Sequence, residues 1–291
     1  MPNTTKKTLP TIPFGAYHLS RLILGANPIN GGSHLTRFVN TQMKRYFTAE
    51  RIQTLLQQCE AEGINTWQSS PGPNLRAYRT YVEAGGHMHY LALASESADY
   101  PTMLQDLVAG GTIGVAHHGE VTDVFWREGK IDRVREYCRK IRDSGTLVGI
   151  STHIPDVVDH VVSENWDVDF FMCCVYERHR TREELLALLG HVPVPLKEVY
   201  LESDPPRMYK AMRGTTKTCL AFKILAAGRL CDQQELVEAA FRQAFDLMKP
   251  TDAVIVGMYP EYEDQIAINA EYVRRFHDLQ NSTQGDTACT S

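Results

Sequence analysis

The chain has 291 residues, 43% of them hydrophobic, and a formal net charge of −5. That size suits one large domain or two small ones, and the apolar share supports a sizeable core. The mild negative balance excludes the basic footprint of a nucleic-acid binder, and no apolar run reaches the roughly 18 residues of a membrane-spanning helix.

The first residues, Met1 to Thr8, are polar and lack the apolar segment of a secretory signal. Of the seven cysteines, Cys59, Cys138 and Cys219 fall within apolar patterns and read as reduced core residues. A cytoplasmic location is therefore expected.

Eight short apolar runs follow in chain order: Leu22 to Leu24, Thr66 to Gln68, Tyr90 to Ala94, Thr112 to Ala116, Leu147 to Ser151, Phe170 to Tyr176, Cys219 to Leu225 and Ala253 to Val256. They are apolar on both faces and rich in β-branched residues, as buried parallel strands are. Helical stripes lie between them. Ile52, Leu55, Leu56 and Cys59 keep the spacing of one buried helix face, as do Ile131, Val134, Cys138 and Ile141, and again Leu236, Ala240, Phe241, Ala244 and Met248. Strand–helix alternation implies right-handed βαβ units, and eight of them favour a closed barrel over an open sheet. The expected fold is α/β, a (β/α)₈ TIM barrel over residues 1–280. Two insertions interrupt it, loops 30–47 and 192–218, the second carrying an extra apolar piece from Glu198 to Glu202. Long loops after barrel strands build an active-site rim, so 30–47 is expected to cover the barrel mouth. The small, polar residues 281–291 read as a disordered tail.

The chain resembles the aldo-keto reductases from about Leu19 to Phe276. The resemblance is carried by Leu19-Ser20-Arg21-Leu22-Ile23-Leu24-Gly25, Gly63-Ile64-Asn65 and Val148-Gly149-Ile150-Ser151-Thr152-His153. Ala221 to Leu230, with Ala226-Ala227-Gly228-Arg229, and Ile255-Val256-Gly257 with Gln265 and Asn269 complete it. It implies an aldo-keto-reductase-like barrel whose Gly257, Gln265 and Asn269 would hold NADPH. The family's aspartate, tyrosine, lysine and histidine are not all present. Gln68 stands at the aspartate position, Pro71-Gly72-Pro73 replaces the turn bearing the tyrosine, and the third strand ends Ala94-Ser95-Glu96 without a lysine. A histidine survives as His117 or His118. Glutamine does not ionise, so the aspartate's electrostatic role is lost. Met258-Tyr259-Pro260 also stands where the family often places an arginine for the 2′-phosphate.

Side chains at the C-terminal ends of barrel strands converge on one site. That rule gathers His117, His118, His153, Cys173, Cys174, Tyr176, Glu177 and Lys223, with Glu202 joining from the insertion. Adjacent strand residues face opposite ways, so one of His117 and His118 faces the site while the other packs outside. Likewise Cys173-Cys174 supplies one core and one barrel-interior residue. His153, just before Pro155, is an acid–base candidate or a loop-packing residue. Lys223 interrupts an apolar strand and needs an anion, water or substrate for its ammonium. It is a partner of Glu202 or Glu177, a base of depressed pKa, a Schiff-base lysine, or a strand-end residue reaching solvent. His118, His153, Glu177 and Glu202 make a candidate divalent-metal set, although no His-x-x-x-His or Cys-x-x-Cys spacing accompanies them. Trp67 and Tyr176 are candidates for stacking on a flat substrate. Asn27, Gln68 and Arg229 are further binding candidates, Arg229 for an anion.

The leading functional expectation is an enzyme that acts on a small polar carbonyl- or hydroxyl-bearing molecule by acid–base chemistry, with or without a metal, of lyase, isomerase or hydrolase type. His118 and His153 act as acid or base in it, with Lys223 beside them. The alternatives are a divergent NADPH-dependent reductase with Tyr176 or His118 as proton donor, and a non-catalytic barrel serving as a binding or subunit protein. The oligomeric state is left open.

Overall fold

The computed structural model describes residues 8–194 and 198–288, with side chains described as far as Ser282. The chain opens on a hairpin that the sequence patterns did not reveal. β1 (Thr11–Phe14) pairs antiparallel with β2 (Tyr17–Ser20). Its buried Ile12, Phe14 and Leu19 join the interior residues Ile23, Leu91, Phe170 and Leu220. The Phe14 and Phe170 ring centroids are 4.9 Å apart, so the hairpin closes the N-terminal end of the barrel.

The barrel follows. In chain order its elements are β3 (Leu22–Gly25), α1 (Arg37–Tyr46), α2 (Ala49–Ala61), β4 (Thr66–Ser69), α3 (Pro73–Glu83), β5 (His89–Ala94), α4 (Met103–Ala109), β6 (Thr112–His117), α5 (Gly119–Arg127), α6 (Asp132–Asp143), β7 (Leu147–Thr152), α7 (Pro155–Ser163), β8 (Phe170–Cys174), α8 (Arg182–Leu189), α9 (Asp204–Arg213), β9 (Thr218–Phe222), α10 (Gln234–Leu247), β10 (Ala253–Gly257) and α11 (Gln265–Ala288). The strands β3 to β10 form a closed parallel barrel in sequential order. All six residues of β6 are buried, which explains its unbroken apolar run. The helices lay apolar stripes against this sheet, as Leu55, Leu56 and Cys59 do from α2. In α10 the buried face is shifted from the expected stripe: Val237 and Phe245 are inside while Leu236 is 39% exposed. Among the described residues no helix is long and apolar enough to cross a membrane.

Several boundaries differ from expectation, and three of them matter for the site. β9 stops at Phe222, because Lys223 takes φ 60, a left-handed conformation that no strand continues. β8 stops at Cys174, which leaves Val175 and Tyr176 beyond it. Segment 30–47 is not all loop, since Thr36 caps α1 by accepting a hydrogen bond from the Val39 amide. The piece from Glu198 to Glu202 is not a strand, and the same insertion carries α9. Residues 281–288, expected in the tail, continue α11, and residues 289–291 lie outside the described residues.

Candidate active site

A cavity of about 450 Å³ opens at the C-terminal end of the barrel. Gln68, His118, Ser151, His153, Lys223 and Gly257 are among its walls. Strand register sets their relative heights. Thr152 pairs with Cys173 and Cys174 with Phe222, so His153 is level with Cys174 and Lys223 stands one residue beyond.

His153 is buried, and Asp123 of α5 fixes its ring. Nδ1 lies 2.6 Å from Asp123 Oδ2, and the His153 amide donates to the same carboxylate. The Thr152 hydroxyl donates to Asp123 Oδ1 at 2.6 Å. A carboxylate only accepts, so Nδ1 carries a hydrogen, and the ring also hydrogen-bonds the Cys174 side chain. The close approach of α5 to β7 depends on Gly119, where a Cβ would come within 2.8 Å of Ser151 Oγ. Burial works against a charge on His153. The Cys174 sulfur and Asp123 together outweigh it and raise the imidazole to about 9. Burial pushes the Cys174 thiol up, but His153 and Lys223 more than offset this and hold it below the ordinary thiol value.

His118 heads α5, its amide donating to the Ala94 carbonyl at 2.8 Å. Its ring is half-buried in the cavity wall, and Nδ1 has no hydrogen-bond partner among the described residues. Burial lowers its pKa. His117 faces the other way. It is buried between helices, with Nδ1 2.7 Å from Thr122 Oγ1 and its ring against Tyr137. It is outside the cavity, as the alternation of strand side chains predicts.

Lys223 reaches into the cavity from the end of β9. Its Nζ lies 3.1 Å from His34 Nε2, and His34 Nδ1 lies 3.0 Å from Glu198 Oε1. Burial lowers the ammonium below the ordinary lysine value; the Cys174 sulfur opposes this and Arg178 adds to the fall. No carboxylate among the described residues is within ion-pair distance of Nζ, so the expected pairing with Glu202 or Glu177 does not occur. The buried Arg178 guanidinium instead bonds both Glu198 and Glu120 at the cavity rim.

The other candidates divide between the cavity and its surroundings. Asn27, Gln68, Gly257 and Gln265 line it. Asn27 Nδ2 lies 3.2 Å from His34 Nε2, and Gln265 accepts from the Tyr259 amide at 2.8 Å. Asn269 is buried on α11 away from the wall. Trp67 is fully buried against Tyr90 in the outer core, so it cannot stack on a substrate. Tyr176 is buried against Tyr200, also off the cavity. Arg229 packs over Tyr200 and donates to the His34 carbonyl at 3.1 Å, fastening the loop after β3. The metal set is corrected by the same placements. Glu177 is held by Arg127, Arg180 and Arg207, and Glu202 is exposed outside the cavity. Among the described residues, Asp123, His153 and His179 are the one grouping close enough to share a cation, and there Asp123 already accepts the His153 hydrogen.

Sequence reasoning missed Asp123, His34, Glu198 and Arg178. Asp123 sits in a helix that reads as ordinary amphipathic surface, and its position one turn after His118-Gly119 was the available signal. His34 follows Gly31-Gly32-Ser33, which reads as a hinge. Glu198 was visible only as the edge of an apolar piece.

No protein-family model matches the sequence, and no curated protein matches it either. Solved structures do match. A truncated 3-deoxy-D-arabino-heptulosonate 7-phosphate synthase from Thermotoga maritima aligns at TM-score 0.55 and 12% identity, over 95% of this chain and 94% of that one. An aldo-keto reductase from Brucella melitensis aligns at TM-score 0.51 and 13% identity, over 94% and 99%. Another from Bacillus halodurans, in its holo form, aligns at 0.50 and 14%, over 92% and 96%. At such identities the likeness is one of fold: the chain is a (β/α)₈ barrel, similar to aldo-keto reductases and to other barrel enzymes alike.

Proposed function

We propose that the protein is an enzyme acting by acid–base chemistry on a small carbonyl- or hydroxyl-bearing molecule, of lyase, isomerase or hydrolase type. The observation that carries this reading is His153, oriented by Asp123 at 2.6 Å in the wall of a cavity that also takes His118 and Lys223. Raised to about 9, His153 is an imidazolium at neutral pH and delivers a proton from a fixed point. His118, its Nδ1 unpartnered among the described residues and its pKa lowered, supplies a neutral base on the same wall. Gln68, Asn27 and Ser151 offer hydrogen bonds to hydroxyl and carbonyl oxygens. The unpaired cysteines, five of six buried among the described residues, support the cytoplasm as the site of action.

The test is proton exchange. Glycolaldehyde, dihydroxyacetone, pyruvate and lactate are incubated with the protein in deuterium oxide and followed by NMR. The reading expects exchange, isomerisation or elimination with at least one of them, reduced about 10²- to 10⁴-fold by His153→Gln. Turnover that is absent for all four, or untouched by the substitution, overturns it.

One observation favours a reductase: the cavity runs on to Gly257, Tyr259 and Gln265, where the resemblance puts a nucleotide. Against it, Met258-Tyr259-Pro260 stands where the resemblance would place an arginine for the 2′-phosphate, and Gln68 stands at the aspartate position. NADPH is therefore expected to bind weakly, and micromolar affinity in a fluorescence titration would restore the reductase reading.

A further inference from the structure

Three residues from three separate connections form one hydrogen-bond chain at the cavity. Glu198 comes from the insertion before β9, His34 from the segment after β3, and Lys223 from the end of β9. The carboxylate only accepts, so His34 carries its hydrogen on Nδ1 and turns the Nε2 lone pair toward the Lys223 amine. Asn27 donates to the same Nε2, and Arg178 holds Glu198. The backbone sets this chain apart. His34, Glu198 and Lys223 have φ of 58, 62 and 60, a region that side chains with a Cβ rarely occupy. Only Asn165, Ala226 and Ala227 join them among the described non-glycine residues, so half of this class meets in one chain. Strain of this kind persists where the surroundings impose it and gathers at functional sites. A nucleophile in reach of a base, itself oriented by a third group, is the arrangement that activates an amine.

We propose that Lys223 forms an imine with an aldehyde or ketone substrate, that His34 accepts its proton, and that Glu198 positions His34. The proposal rests on the reading of the cavity as a site for carbonyl compounds. The Nζ lone pair of the neutral amine attacks the carbonyl carbon, forming a C–N bond as the π pair moves to oxygen. That oxygen takes a proton from the imidazolium of His153. The nitrogen gives one proton to His34 Nε2. The same proton then passes to the carbinolamine hydroxyl, which leaves as water while the nitrogen lone pair closes the C=N bond. The sum is amine, carbonyl and one proton giving iminium and water, with no oxidant or reductant. The structure supports the free amine such a step needs: Lys223 is half-buried, bonds a neutral ring and has no carboxylate within ion-pair distance among the described residues.

Borohydride trapping tests this. The full chain is incubated at neutral pH with glycolaldehyde or pyruvate, reduced with sodium borohydride, and its adducts are located by peptide mass spectrometry. Lys130, exposed and paired with Glu128, is the internal control. A positioned base speeds proton transfer by about 10²- to 10⁴-fold, so with His34 accepting its proton, adduct on Lys223 should exceed that on Lys130 by about tenfold or more. His34→Gln should slow the Lys223 adduct about tenfold while leaving the thermal midpoint unchanged. Equal labelling of the two lysines, no Lys223 adduct with either probe, or an unchanged rate in His34→Gln overturns the assignment. Deuterium exchange without a trapped adduct removes the lysine proposal and leaves the acid–base reading standing. A Lys223 adduct without exchange does the reverse.

Discussion

Lys223 touches a ring rather than an anion, and this decides what its removal does. Replacing it with methionine keeps the volume and deletes the ammonium. His34 Nε2 keeps its bond from Asn27, and Glu198 keeps its bonds from His34 and Arg178, so no carboxylate is stranded. Breaking a buried ion pair costs about 3–5 kcal/mol because one charge is left alone, and that term is absent here. The desolvation that depresses the lysine is relieved at the same time. Lys223→Met is therefore expected to melt at the wild-type temperature or above it, while turnover of whichever carbonyl compound exchanges falls by orders of magnitude. A lower melting temperature by calorimetry would mean that the ammonium holds the loop after β3 in place and that its role is structural.

Two elements at opposite ends of the barrel were hidden in the sequence, for different reasons. The hairpin β1–β2 alternates over only four residues per strand, too short a run to stand out, although its Phe14 plugs the barrel floor. α1 buries no residue, so it carries no core-facing stripe, and the segment around it reads as loop. The eight barrel strands were legible because burial on both faces leaves each a near-continuous apolar run. Only their ends were misplaced, where a backbone turn such as the one at Lys223 leaves no mark on hydrophobicity. α1 rests on the barrel through the half-buried Tyr46 against Tyr259, and the residues before it are tied down by the Arg229 bond to the His34 carbonyl and the Ser33 bond to Asn40. An element without buried anchors opens at low cost. Limited trypsin digestion is expected to cut first at Arg37, Lys44 and Arg45, and Arg229→Ala to hasten those cuts several-fold. First cleavage within the barrel helices would show that α1 is as firmly docked as they are.

Across the whole molecule, the strand-end histidines were legible from position alone, whereas the groups that govern them were not. Asp123, His34 and Glu198 lie in a helix and two insertions, where sequence spacing says nothing about approach. The result is a protein whose histidines are driven in opposite directions. Burial lowers His34, His89, His117, His118 and His179, His117 and His179 to about 4, while His153 is raised to about 9. The two groups have opposite linkage signs. A histidine lowered on folding binds its proton better in the unfolded chain. Its contribution is intact above about pH 6.5 and is lost as pH falls toward 4. For the fully buried His117, a fall from about 6.5 to about 4 corresponds to about 3 kcal/mol once the acid limb is complete. His153 behaves the other way. Its contribution is present below about pH 6.5 and is lost as pH rises through about 9. Stability should therefore peak near pH 6.5 and fall on both sides. His117→Asn, which can still bond Thr122, should make the acid limb shallower and leave the alkaline one. His153→Gln should flatten the alkaline limb and leave the acid one. Melting temperatures from pH 4 to 9.5 decide the matter: a curve that rises steadily to pH 9, or two substitutions that flatten the same limb, would show that the two sets of histidines are not opposed.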